Sequence, residues 1–412
     1  MKQGWELKKL GDKSLLEIID GDRGKNYPTK SDFLEEGFCL FMNTKNVTSK
    51  GLDFKTTMFI NESKDKALGN GKLKRNDVIM TTRGTIGNLG IYSDNVEYDN
   101  IRINSGMLIF RPNLKVITPG YLYKILQSEI INTQIKKYVT GAAQPQLPIK
   151  TLVGFTFPVP NSLSEQQRIV AILNEAFDAI TGAKENAEKN LQNARELFES
   201  YLQSVFANPG DGWEEKKLGD VCEKITKGSS PNWQCIKYLD FPGILFITSE
   251  NVGKNELILD KRKYVEERFN SIEKKSILKN GDVLTNIVGA SIGRTAIFTL
   301  DDVANINQAV CILRCNSNIL YNFYLMYLLN SPFFRKILHD NEVDNARANL
   351  SLGFFSNLNI PIPPLNEQHL IVDKLEVFFA ETKKLEDIYN QKLTDLEELK
   401  KSILQKAFNG EL

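Results

Sequence analysis

Histidine is almost missing from this 412-residue chain, which holds only His339 and His369. Neither stands near a serine nucleophile motif or a metal-spaced partner, so the sequence points away from hydrolytic catalysis. Cysteine is sparse too. Cys39, Cys222, Cys235, Cys311 and Cys315 are odd in number and scattered, which suits reduced thiols and not a disulfide framework. Cys311 and Cys315 have metal-like spacing, but Val310 to Cys315 alternates like a buried strand and no second Cys/His pair completes four ligands. No run of 18 apolar residues occurs, and Met1 to Trp5 lacks the stretch that a secretory signal needs, so a cytoplasmic protein with no membrane partner is expected. Also missing are an Asn-Pro-Pro-aromatic segment, a dinucleotide-type glycine fingerprint after a strand, and a Gly-x4-Gly-Lys-Ser/Thr phosphate loop. No catalytic residue, bound cofactor or metal site is therefore expected in the chain.

What the chain does contain is itself, twice. Gly4-Trp5-Glu6-Leu7-Lys8-Lys9-Leu10-Gly11-Asp12 returns as Gly212-Trp213-Glu214-Glu215-Lys216-Lys217-Leu218-Gly219-Asp220, with eight of nine residues identical. Asp77-Val78-Ile79 with Arg83 to Gly87 returns as Asp282-Val283-Leu284 with Gly289 to Gly293. Asn104, Ile109, Arg111 and Asn113 return as Asn307, Ile312, Arg314 and Asn316. The longest match sets Glu165 to Phe206 against Glu367 to Phe408, 42 residues without a gap and with 13 identities. Sequence drifts there while length is kept.

Within that match, apolar and small residues step by four and three, the 3.5-residue period of a coiled-coil seam. The expected seam holds Ile169, Leu173, Ile180, Leu197 and Tyr201 in the first copy. In the second it holds Ile371, Leu375, Phe378, Leu385, Leu396, Leu399 and Ile403, with polar Asn190 and Lys392 at equivalent places. Caps are expected at Ser164 and Asn366. At about 1.5 Å per residue, each helix is roughly 60 Å long, more than a single domain uses. An antiparallel intramolecular pair is the economical arrangement, because a whole globular segment lies between the two helices.

The expected fold class is α+β, with two α/β domains related by the internal repeat and separated by the two long helices. The expected boundaries are 1–162, helix 163–207, 208–364 and helix 365–412. Strands are expected at Leu245 to Thr248 and Met107 to Phe110, and helices at Tyr121 to Lys137 and Tyr321 to Leu338. Charge is uneven beneath a net +1: residues 1–160 hold 23 Lys and Arg against 16 Asp and Glu, whereas residues 207–362 hold 18 of each. That excess gives the first domain modest support as a phosphate-binding surface, and a solvated basic face explains it as well.

The duplicated Gly-Trp-x4-Leu-Gly-Asp start, the Gly281-Asp282-Val283-Leu284 and Gly289 to Arg294 turn, and Pro361-Ile362-Pro363 with Glu367-Gln368 resemble Type I restriction-modification specificity subunits. The first half departs mildly, with Asn76 for the glycine and Asn88 for the arginine. The resemblance covers essentially the whole chain. It implies two target-recognition domains reading a split, asymmetric double-stranded DNA site, with half-sites about one helical turn, roughly 10–10.5 bp, apart. It implies helices that dock two methyltransferase subunits, restriction/translocase subunits joining that core, and S-adenosylmethionine, ATP and Mg held by those partners. Base-reading residues are sought where Arg, Lys, Asn and Gln lie near the repeated turns. They are Arg83, Arg102, Asn104 and Gln144 in the first domain, and Thr226, Lys227, Ser230, Asn286, Arg294, Asn307 and Arg347 in the second. The Thr226 to Pro231 loop has no evident copy in the first half, and Trp5 and Trp213 read as core. Two rivals stay open: a stand-alone DNA-binding regulator and a coiled-coil structural adaptor.

Overall fold

The computed structural model describes residues 2–138, 146–342 and 349–412. By contacts the chain gathers into two compact units, Met1–Ala187 with Gln391–Leu412, and Glu188–Asn390. Each unit thus takes part of both long helices, whereas the four-segment division drawn from the sequence keeps the helices as separate pieces.

In the first unit the two ends of the repeated sequence pair with each other. Trp5–Lys9 runs antiparallel to Thr156–Pro160, from Trp5 opposite Pro160 to Lys9 opposite Thr156. Pro158 and Pro160 are tolerated because this ribbon has only two strands, leaving an outer edge with no ladder bond to break. A four-stranded antiparallel sheet follows in the order Leu16–Asp20, Met107–Pro112, Val78–Thr81, Leu89–Ile91. A second sheet sets Cys39–Met42 parallel to Ile101–Ile103 and antiparallel to Phe59–Ile60.

The second unit repeats the plan. Glu214–Lys217 pairs with Asn359–Ile362. The four-stranded sheet runs Cys222–Lys227, Val310–Cys315, Val283–Asn286, Thr295–Ile297, and Ile244–Ile247 lies parallel to Ala304–Ile306. Cys311 is a buried residue of its strand, and all five cysteines are free thiols. Each expected helix near a domain end is two helices: Pro119–Leu126 with Glu129–Tyr138, and Asn322–Asn330 with Pro332–Asp340. The second break has a local cause, since Ser331 caps Phe334 N and Pro332 supplies the first-turn residue.

Two buried clamps explain why particular polar residues recur. Asp77 takes the Arg111 guanidinium in a bidentate pair at 2.9 and 2.8 Å, and Asp282 takes Arg314 at 2.7 Å twice. Asp77 lies just before Val78–Thr81 and Asp282 just before Val283–Asn286, the third strand in the order of each sheet, so the pair fastens one end of the sheet. Gln166 and Gln368, both fully buried, do the same for the helix starts. Gln166 Oε1 accepts from Thr118 N at 2.8 Å while its Nε2 donates to Val116 O and Pro160 O. Gln368 Oε1 accepts from Tyr321 N at 2.7 Å while its Nε2 donates to Ile319 O and Pro363 O. Gln368→Leu removes the partner of three backbone groups, one buried and two partly buried, at about 1–3 kcal/mol each where water cannot replace it. Urea unfolding of the full chain should show a destabilisation on the order of 3 kcal/mol or more, and an unshifted midpoint would contradict this account of the glutamine.

The long helices are Leu163–Ala207 and Leu365–Asn409. Their caps differ from expectation: Ser162, not Ser164, accepts from the first turn at Glu165 N, and the second helix starts directly after Pro364 with Asn366 inside it. Within the first unit Arg168 donates to Leu412 O at 2.7 Å and Lys184 pairs with Glu397. Within the second, Arg195 pairs with Glu386 at 3.1 Å and Tyr201 lies 4.8 Å from Phe378. Numbers rise on one helix as they fall on the other, so the helices run antiparallel in each unit.

Part of the expected seam is buried, and at two places the contact moves by one residue. Ile169, Leu173, Ile180, Ala187 and Ala194 are buried, as are Leu375 and Thr382. Leu197 is 50% exposed, and Phe198 takes its place against Phe379 at 5.1 Å. Val372 is buried where Ile371 was expected, Leu385 and Leu399 are exposed, and Tyr201, Phe378, Leu396 and Ile403 are half-buried beside the seam. Adjacent positions on a helix flank the same stripe, so a larger or better-placed neighbour can take the contact without changing the period. Asn190 and Lys392 are exposed.

Candidate nucleic-acid interface

Opposite the fastened end of each four-stranded sheet, three turns come together. In the first unit Gly21 follows strand Leu16–Asp20 and lies so close to the next turn that a Cβ there would sit 2.2 Å from Asn104 O. That turn is closed by Asn104 Oδ1, which accepts from Gly106 N at 2.9 Å, and Gly106 O accepts from Thr82 N at 2.8 Å, joining the third turn. In the second unit Gly228 stands where a Cβ would be 1.9 Å from Ile306 O, Asn307 Oδ1 accepts from Ala309 N at 3.0 Å, and Ala309 O accepts from Ile287 N at 2.9 Å. Only glycine permits so close a backbone approach. The repeated glycines Gly84, Gly87, Gly289 and Gly293 all have positive φ, from +70° to +89°, as tight turns require.

Several expected site residues gather here. Arg83 leaves the third turn of the first unit beside a backbone bridge to Gln146, and its guanidinium makes no hydrogen bond or ion pair among the described residues. Val288, bridged to Asn349, holds the place of Arg83 in the second unit. Arg294, which answers to Asn88 in the repeat, is exposed at the other end of that turn and is likewise unpaired among the described residues. Lys227 is exposed and Ser230 half-buried in the first turn of that unit. Asn104 and Asn307 spend Oδ1 on their own turns, which leaves their amide Nδ2 groups as donors.

Three expected residues are placed otherwise. Arg102 is buried, its Nε donating to Asp65 Oδ1 at 2.6 Å and its other nitrogens to the carbonyls of Asn70, Asp65 and Leu68, so no donor set remains for a base edge. Burial pushes the Asp65 carboxyl up, but hydrogen bonds from Lys72 and Arg102 outweigh it and hold the group below the usual carboxylate range. Asn286 is fully buried and donates to Ser249 O at 2.9 Å. Thr226 is buried in its strand. Gln144 and Arg347 lie outside the described residues.

Sequence reading also missed residues. The first half has no sequence copy of the Thr226 to Pro231 loop but has a structural counterpart of its Gly228 in Gly21, and the signal was a glycine one step beyond a repeated strand. Arg23 there is half-exposed, with Nη2 on Asp20 and on Ser105 O at 3.3 Å. Trp5 is core as expected, and Trp213 is half-buried with Nε1 on Glu367 at 2.9 Å, but Trp233 is 73% exposed. Among the described residues no three His, Cys, Asp or Glu side chains gather to hold a metal ion, and no helix is long and apolar enough to cross a membrane.

Comparison with known proteins matches the family described as the Type I restriction modification DNA specificity domain twice, at residues 2–191 and 210–395. Similar chains include the Type I restriction enzyme EcoBI specificity subunit of Escherichia coli, 26% identical over 321 residues, which are 71% of this chain and 64% of that protein. The MjaVIII specificity subunit of Methanocaldococcus jannaschii is 23% identical over 434 residues, covering 100% of this chain and 93% of the relative. The HsdS subunit from Thermoanaerobacter tengcongensis shares the fold with a TM-score of 0.62 at 21% identity, covering 100% and 98% of the two chains. A chain from the structure described as the "Structural basis underlying complex assembly and conformational transition of the type I R-M system" reaches 0.81 at 21% identity, covering 100% and 99%. With two copies of the domain matched along most of its length, this chain belongs to the Type I restriction-modification DNA specificity family.

Proposed function

We propose that this chain reads a bipartite, asymmetric DNA target, each unit taking one half-site, and that it performs no chemistry itself. The observation that carries the reading is the pair of matching three-turn edges, alike in backbone and different in side chains. Arg83, Asn104 and Arg23 stand in one, and Lys227, Ser230, Asn307 and Arg294 in the other. Different donors on one scaffold suit different bases, because guanidinium and amide groups read distinct major-groove patterns while lysine and hydroxyl groups hold phosphates. The long helices act in this reading as spacers of fixed length and as the docking surface for two methyltransferase subunits. S-adenosylmethionine sits on those subunits, and ATP and Mg on the restriction/translocase subunits that join them.

Exchanging residues 210–362 for the same segment of another family member should change one half of the methylated motif and leave the other half intact. A motif altered in both halves, or in neither, would contradict the division of labour. Arg294→Ala has a smaller expected effect. It should weaken target binding by about 1–3 kcal/mol if the side chain reads a base, with loss of discrimination at one position. If it holds a phosphate, it should instead lower the salt dependence by about one unit and spare discrimination.

A further inference from the structure

The chain has three tryptophans, and two of them are structural. Trp233 is the exception, because it is largely exposed although the loop that carries it is tightly fastened. Gly228 packs its backbone against the carbonyls of Ile306 and Asn307. Pro231 is buried, and Ile236 is buried in a cluster with Ile244, Phe246, Val265 and Phe269. Between these anchors Trp233 N bonds to Ser230 O at 3.2 Å and Ile236 N to Pro231 O at 3.0 Å. Gln234 Nε2 reaches Ser229 Oγ at 3.2 Å and also the Glu273 carboxylate. Cys235 completes the knuckle in the left-handed region at φ +55°. The indole is therefore displayed on a preorganised tip, where water would otherwise favour its burial.

Its neighbours in the chain indicate what covers it. Lys227 is exposed and has no carboxylate partner among the described residues, and Ser229 and Ser230 supply hydroxyls. A cation and hydroxyls are phosphate-holding groups, and they belong to the first of the three turns of this unit. We propose that Trp233 is an apolar wedge of the second unit, its indole pressed into a base step of the second half-site while Lys227 and the serines hold the flanking phosphates. Apolar side chains used in this way partly unstack the step and kink the duplex. The proposal rests on the reading of this chain as the target-recognition subunit. The first unit has no tryptophan in its matching loop, so the wedge would act on one half-site only.

The test uses the full chain assembled with its methyltransferase and duplexes that carry 2-aminopurine at successive steps of the second half-site. Wild type should brighten one step besides the methylated adenine, which methyltransferases extrude in any case. Trp233→Ala should abolish that extra signal and cut target methylation and affinity on the order of 10–100-fold. Trp233→Phe should keep most of both, and binding to unrelated DNA should be unchanged. The wedge is overturned if Trp233→Ala methylates within twofold of wild type with every step unaltered, or if it fails to assemble with the methyltransferase, which would make the indole a protein contact. A wild-type complex that methylates no motif would overturn the recognition reading itself, and the wedge with it.

Discussion

A fragment ending after the first long helix, residues 1–207, should form a homodimer that recognises an inverted repeat of the first half-site. The reason lies in how each unit is closed. In the first unit Phe408 meets Tyr121 edge-on at 5.4 Å, with Leu404 and Ala407 in the same core. In the second unit Phe206 meets Tyr324 at 5.5 Å, with Leu202 beside it. Phe206 and Phe408 are the same position of the repeat, as are Leu202 and Leu404. The fragment keeps Tyr121 but loses Phe408, and it gains a free helix end bearing Phe206, Leu202 and Phe198. A second copy can therefore supply the missing helix with side chains of the same kind, in the same antiparallel sense. Light scattering should give twice the fragment mass at micromolar concentration, and Phe206→Asp should leave a monomer. A folded fragment that stays monomeric would show that the two helix ends are not interchangeable.

Asp282→Ala should be the most damaging single substitution outside the interface. Asp282 is 1% exposed, and its two oxygens take the whole Arg314 fork while Oδ2 also accepts from Lys279 N at 2.8 Å. Removing one partner of a buried pair leaves the other charge without compensation, a loss of about 3–5 kcal/mol. Domains of this size have roughly 5–15 kcal/mol in total. The melting transition of the second unit should fall by roughly 6–20 °C. Asp77→Ala should act in the same way on the first unit through Arg111 and leave the second unaffected. Arg314→Lys should be intermediate, because it keeps the charge and loses the bidentate fork. A shift of less than about 2 °C for Asp282→Ala would contradict the clamp.

These clamps mark the boundary of what could be read in advance. The repeat, the long helices and their antiparallel sense follow from identities, constant length and period, because such features are local or depend on connectivity alone. The motif residues Asp77, Arg111, Gln166 and their partners were visible as matches. Their jobs were not, since each bonds a residue distant in sequence, such as Gln166 to Val116. Arg102 and Asn286 were misplaced for the same reason: a polar residue near a strand end reads as a base contact until Asp65 or Ser249 is seen beside it. The seam slipped by one residue at Leu197 because period fixes the stripe and packing chooses its edge. Trp233 offered no periodic or repeated signal, and only its exposure on a fastened loop draws notice.

The decisive measurement is single-molecule methylation sequencing of genomic DNA from a host expressing this chain together with a methyltransferase subunit of a Type I system, compared with a strain lacking only this chain. The account predicts methyladenine at a split motif with two unlike halves, present in the first strain and gone from the second. The same methylation pattern in both strains would contradict it.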